Sequence, residues 1–286
     1  DDALGRLDAW ATRGANAASG VETFYDAPTA DDRADAIATM IWNAWFRAFN
    51  AGVFDDEGIA DVLALDPRFM RITSLRRFLA GRGPGNPQGL ASYEPTRGES
   101  VFFDDLQTPA FVESSREIVL RSLVEALAFL RSAPDGLGGG GFGSSDPSTW
   151  LWGLRHTVAF RSILIAFAGD VMGLDILGNA TKIGTARLPL APGLPASDPR
   201  SQIPWFPRPG DFFAVDAANP PFSGNDYTYQ NGPVMRMVIE LDHGTVRGQN
   251  VIPQGQSGIT SQPTFDDQLQ LWLGNRTLPI RYTVEE

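Results

Sequence analysis

Apolar positions recur at three- and four-residue spacing over residues 30–49. Ile37, Met40, Ile41, Ala44, Trp45 and Ala48 fall on one stripe, which predicts an amphipathic helix. Asp31, Asp32 and Asp35 crowd its first turn, where the helix dipole favours negative charge. A second helix is predicted over 112–132, with Ile118, Leu123, Ala126, Leu127 and Leu130 on one face, Arg131 in the last turn and Pro134 beyond it. A shorter one fits 73–80, and 81–98, rich in Gly and Pro, reads as a loop.

The pattern changes after residues 135–148, DGLGGGGFGSSDPS, whose glycine density marks a connection. Short alternating runs follow. Residues 211–218 and 234–241 read as strands, and 245–253 as a returning strand with His243-Gly244 in the turn. Residues 265–273 fit a short amphipathic helix, and no internal repeat is visible. Helices first and antiparallel strands later predict an α+β fold. The division expected is a mainly helical region 1–134, a Gly-rich connection 135–148 and a mainly β region 149–286. So few strands leave open edges and an uncovered face unless something else pairs with them.

Composition narrows the chemistry. The net charge of −11 excludes nucleic acid as a partner, because phosphate binding needs a basic face. The absence of cysteine excludes disulfides, thiolate metal sites and a cysteine nucleophile. With two histidines, a histidine-rich metal site is not expected within the chain, and Gly138 to Gly143 lacks the Lys-Ser/Thr of a phosphate-binding loop. The longest apolar run, 162–171, falls well short of the ~20 residues that span a bilayer, so no membrane partner is expected. The acidic start DDALGRLDAW has neither an initiator methionine nor a signal-peptide pattern, which suggests a start set by processing, proteolysis or cloning. A Ser-His-Asp triad would need His156 or His243, and the latter is expected in a hairpin turn, a poor place for a positioned base.

Three segments carry a resemblance. Gly232-Pro233-Val234-Met235-Arg236 is followed by Gly255-Gln256-Ser257-Gly258, then by Phe265-Asp266-Asp267-Gln268-Leu269 and Trp272. Upstream stands Trp150-Leu151-Trp152-Gly153-Leu154-Arg155-His156-Thr157, and between them Pro209-Gly210-Asp211-Phe212-Phe213-Ala214-Val215-Asp216-Ala217. In kind, order and spacing these resemble the C-terminal part of the β chain of the penicillin acylase (penicillin amidase) family of N-terminal-nucleophile hydrolases. The resemblance spans roughly 150–280, with only Leu7-Asp8-Ala9-Trp10 and Trp42-Asn43-Ala44-Trp45 before it. Two departures mark a divergent member: Asp216 stands where Asn is usual, and Ile259-Thr260-Ser261 replaces Asn-Pro.

The resemblance implies an αββα sandwich of which this chain forms the C-terminal portion with an associated helical region. It implies an autoproteolytic precursor and an amidohydrolase that cleaves a small acyl-amide substrate. The nucleophile would be the N-terminal serine of a companion portion of the same precursor, its α-amine acting as base. No catalytic residue is then expected in this chain. Calcium would bind, if at all, in the rest of the protein, and the family resemblance alone points to the periplasm. Trp152, His156, Arg236, Gln256, Ser257, Asp267 and Gln268 are expected to be structural. Arg236 would be a partly buried strand arginine held by a carboxylate, and Gln256 and Ser257 would form a tight turn. Asp216 is the candidate substrate contact. Two other readings stay open: a stand-alone, non-catalytic binding module on the acylase scaffold, and a smaller enzyme that uses Ser144 after a further cut.

Overall fold

A computed structural model of the chain describes residues 2–55, 67–80, 92–104, 111–134, 140–160, 183–211, 214, 227–229, 232, 235–242, 245–257, 259 and 261–280. Helices and small antiparallel sheets are both present, as an α+β chain requires. Two compact units emerge, and neither is a continuous stretch. One comprises Asp1–Arg13, Ile37–Trp150 and Pro221–Asp226, the other Gly14–Ala36, Leu151–Pro220 and Tyr227–Glu286. The segment Gly14–Ala36, which the sequence pattern grouped with the helical region, therefore belongs to the unit that carries the family-like motifs.

The first unit is built on helices. Helix α1 (Asp2–Thr12) buries Ala3 and Trp10, and the Trp10 ring lies 6.1 Å from Trp42. Helix α2 (Ala30–Phe54) buries Ile37, Met40, Ile41 and Ala44 as the stripe predicts, but runs past residue 49. Asn50-Ala51-Gly52 looks like a stop in the sequence. Burial of Phe49, Val53 and Phe54 against Leu75, Phe78, Phe103 and Ile118 outweighs the low helix propensity of Gly52. Helix α3 (Pro67–Ala80) starts earlier than its apolar pattern suggests, with Pro67 at the first position, where its missing N–H costs nothing. Helix α4 (Ser115–Arg131) is fixed by a capping box: Ser114 Oγ accepts from Glu117 N, and Glu117 Oε2 accepts from Ser114 N at 2.8 Å. A two-residue ladder, β1 (Tyr93–Glu94) with β2 (Glu99–Ser100), leads into a 3-10 turn at Val101–Phe103, and a second 3-10 turn follows at Pro147–Thr149.

The second unit holds two sheets. Strand β3 (Thr157–Val158) pairs antiparallel with β4 (Phe206–Pro207). The hairpin predicted around residue 243 is present: β5 (Arg236–Asp242) pairs with β6 (Thr245–Val251), and β7 (Leu278–Ile280) adds to the far side of β6. The turn residues His243 and Gly244 lie outside the described residues, as does most of the strand expected over 211–218. The helix expected over 265–273 is divided into a 3-10 turn, Pro263–Phe265, and a short helix α5 (Leu269–Leu273), with Asp266 between them pairing with Arg187 and Gln268 bonding the loop at 252–254. The core gathers Val21, Val158, Phe160, Phe206, Val251, Phe265, Leu269 and Trp272 among others.

The three-stranded sheet is uneven. Directly paired residues share a face, so Met237, Ile239, Leu241, Val246, Leu278 and Ile280 project to the same side. All six are exposed, Leu241 at 78% and Val246 at 70%. On the opposite face Arg236 and the fully buried Val251 pack toward α5, while Glu240 and Arg247 lie further out. Both faces are largely exposed, with Val238 at 64% beside Gln249 on the second, but the apolar side chains concentrate on the first.

Candidate functional site

The sequence motifs converge on the second unit. Trp152 is fully buried, and its indole N–H donates to the carbonyl of Gly210 at 2.7 Å. Its ring stacks on His156, with 4.7 Å between centroids, and meets Tyr227 edge-on. His156 is likewise fully buried. Its Nδ1 lies 2.8 Å from the carbonyl of Tyr227; a carbonyl can only accept, so Nδ1 carries the proton. The main chain there is braced on both sides, by Arg208 N to His156 O and Tyr229 N to Thr157 O, each 2.9 Å. Gly153 explains itself by space: its N–H donates to Ser19 O at 2.8 Å, and an added Cβ would stand 2.2 Å from Ser19 Oγ.

The C-terminal motif folds into a second knot. Gln268 is buried and binds one loop in both directions: its N–H donates to Gln254 O at 2.9 Å, and its Oε1 accepts from Ile252 N at 3.1 Å. Ser257 N donates to Thr264 O, and Ser257 Oγ accepts from Ile259 N, a serine turn. Gln256 is exposed. A Cβ on Gly255 would meet Thr264 O at 2.1 Å and Asp267 Oδ1 at 2.6 Å, so the loop closes only around glycine. Arg236 donates from Nη1 to Trp272 O at 2.6 Å and toward Asn275 Oδ1, with its guanidinium 4.1 Å above the Trp272 ring. The groups seen holding it are a main-chain carbonyl, an amide and an indole face. Both knots share one core, since Phe160 meets Phe206 and stands edge-on to Trp272.

Asp216, the candidate substrate contact, lies outside the described residues. Ser144 Oγ accepts from Asp146 N at 3.1 Å, a turn contact, and its main-chain oxygen accepts from the Trp150 indole. Among the described residues no group of three or more His, Asp or Glu is placed to hold a metal ion.

Sequence reasoning passed over one set of groups. Arg208 is only 6% exposed, and its guanidinium lies 4.8 Å from the Trp272 ring. Tyr25 donates from its hydroxyl to Pro207 O at 2.8 Å. Burial pushes the Tyr25 phenol above its ordinary range, with Arg208 pulling it partly back. The Asp26 carboxyl is also raised, first by burial and then by the charge of Asp32, against the pull of Arg208. The signal available was Pro207-Arg208-Pro209 directly before Gly210-Asp211: an arginine between prolines in an apolar run.

The raised Asp26 carboxyl sets a pH dependence. The folded state holds that proton more tightly than the unfolded chain, so stability falls as pH rises from the unfolded pKa, near ~4, through the folded one. Asp26→Asn is expected to be more stable than wild type at neutral pH, with the difference vanishing below pH ~4 in denaturant titrations. An equal difference at both pH values would contradict it.

A family model described as penicillin amidase matches residues 3–286. The chain belongs to the penicillin amidase family. Membership places this penicillin amidase homologue among amide hydrolases, and the match takes in the helical first unit as well as the segments whose motifs carry the resemblance. Among curated proteins none matches the chain significantly. Within this penicillin amidase chain Trp150, Trp152, His156, Phe265, Leu269 and Trp272 of the family-like segments are buried. The indole of Trp152, the imidazole of His156, the amide of Gln268 and the guanidinium of Arg236 each have a main-chain partner.

Proposed function

We propose that this chain is the C-terminal portion of an amidohydrolase that cleaves an acyl amide with a serine nucleophile carried outside it, at the N-terminus of a companion portion of the same precursor. The match of the family model across residues 3–286 carries the reading. Two features support it. The motif side chains Trp152, His156, Arg236 and Gln268 are committed to main-chain partners, as a scaffold requires. The apolar face of β5, β6 and β7 is open, and an αββα sandwich completed by a companion would cover it.

In this reading the companion's serine hydroxyl attacks the amide carbonyl, and the α-amine of the same residue takes the hydroxyl proton. That proton passes to the departing amine, and water then releases the acid from the acyl-serine ester. The α-amine suits this work because its pKa, near ~8, lies close to neutral pH. Export to the periplasm, and calcium bound in the companion portion, belong to the same proposal.

The test is co-purification from the intact gene, followed by native and denaturing mass spectrometry and assay against a panel of chromogenic acyl amides. The expected result is a complex of this chain with a larger one that begins with serine. It should hydrolyse at least one acyl amide, with activity lost when that serine becomes alanine. Recovery of this chain alone as a folded, inactive monomer would sink the enzyme reading and leave a binding module.

A further inference from the structure

Arg208 is the most deeply buried cation in the described part of the second unit, at 6% exposure. Its backbone N–H donates to His156 O, and its guanidinium lies against an indole ring rather than a carboxylate. The Nε–H is buried with no acceptor, and among the described residues no carboxylate forms an ion pair with it. Beneath it the indole N–H of Trp272, itself 1% exposed, is also buried without an acceptor. These two groups are in contact, the guanidinium lying 4.8 Å from the ring. Arg236 brings a second guanidinium to 4.1 Å from that ring, so the two cations are no further apart than the sum of those distances.

The chemistry of these groups restricts what could satisfy them. Arginine keeps its charge at every accessible pH, so it cannot relieve its burial by losing a proton. The guanidinium nitrogens and the indole nitrogen are donors only. A partner must therefore be an acceptor, and beside buried positive charge an anionic one is favoured over water. Asp26 does not fill the role: it feels Arg208 electrostatically, yet its carboxyl is raised rather than lowered on balance and it makes no ion pair with Arg208. The planar fork of arginine matches the two oxygens of a carboxylate.

We infer that Arg208, over Trp272, forms a receptor for a carboxylate that comes from outside the described residues. The carboxylate is either that of a small organic acid or an acidic side chain of a companion chain. The inference goes beyond the proposed amidase reading. Its first arm does not depend on that reading, and only its second arm uses a companion.

The first arm measures thermal unfolding of the full chain in sodium chloride against sodium acetate and sodium propionate at matched ionic strength and pH. If a free acid is the source, acetate or propionate raises the wild-type midpoint by a few degrees, increasing with the logarithm of its concentration. Arg208→Met should not respond. Arg208→Lys keeps the charge without the fork and should respond less; it also serves if the methionine variant does not fold. The second arm uses the assembled protein. If a side chain is the source, Arg208→Met weakens assembly at least ~10-fold, and neutralising one Asp or Glu of the companion gives the same loss with no further loss in the double variant. The inference is overturned if wild type and Arg208→Met respond alike to carboxylates and no companion acid couples to Arg208. It is also overturned if a double-mutant cycle shows that Asp26 accounts for the whole interaction.

Discussion

Replacing Leu241 and Val246 by lysine in the isolated chain is expected to reduce self-association at micromolar concentration without lowering the unfolding midpoint. In the assembly proposed above, the same double variant is expected to lose the companion chain. The two residues face each other across the hairpin and are the most exposed members of the apolar face. In the free chain the charges stand in water and cost nothing beyond a slight loss of strand propensity. Once covered they must be desolvated without an opposite charge, at several kcal/mol each, so the dissociation constant should rise by about three orders of magnitude. Sedimentation of the free chain and native mass spectrometry of the mixture separate the two effects. A companion that binds the lysine variant as tightly as wild type would show that this face is not the junction.

The second large effect is expected at Trp152. Its side chain is fully buried, bonded to Gly210 O and stacked on His156. Trp152→Ala removes the largest side chain of that neighbourhood and leaves a carbonyl without its donor. A loss of about 3–5 kcal/mol follows, a large fraction of the roughly 5–15 kcal/mol that ordinarily holds a domain folded. Trp152→Phe, which keeps most of the volume and loses the hydrogen bond, should cost about 1–2 kcal/mol more than a neutral surface change. Denaturant unfolding monitored by far-UV circular dichroism gives both values. A tryptophan-to-alanine change that costs less than the phenylalanine variant would show the pocket to be loosely packed.

Helices α2 and α4 were legible because their stripes are regular and their first turns are marked, by Asp31 and Asp32 in one and by Ser114 and Glu117 in the other. The hairpin of β5 and β6 was legible from alternation and the short turn between the runs. The end of α2 was not, because the burial of Asn50 and the close approach of Ile118 to Gly52 are tertiary contacts that no local propensity reveals. The motif residues stood out as a family pattern, but what holds them did not. The two-way clasp of Gln268 on residues 252 and 254, and the seating of Arg236 on Trp272, depend on segments brought together from distant parts of the chain. Arg208 escaped notice for the same reason: a lone arginine between prolines reads as surface until the fold buries it.

The mixed ancestry of the second unit bears on how the protein is made. Phe24 N donates to Leu190 O, and the Tyr25 hydroxyl to Pro207 O, a contact 182 residues apart in sequence. During synthesis at roughly 5–20 residues per second, the Gly14–Ala36 segment leaves the ribosome on the order of ten seconds or more before those partners exist. Val21 and Ala18, destined for burial, must wait that long uncovered. The unit has a late-closing topology, in which chain closure over a long loop precedes any reward from packing. Nascent chains of this protein are therefore expected to depend on chaperones more than their helix content alone suggests.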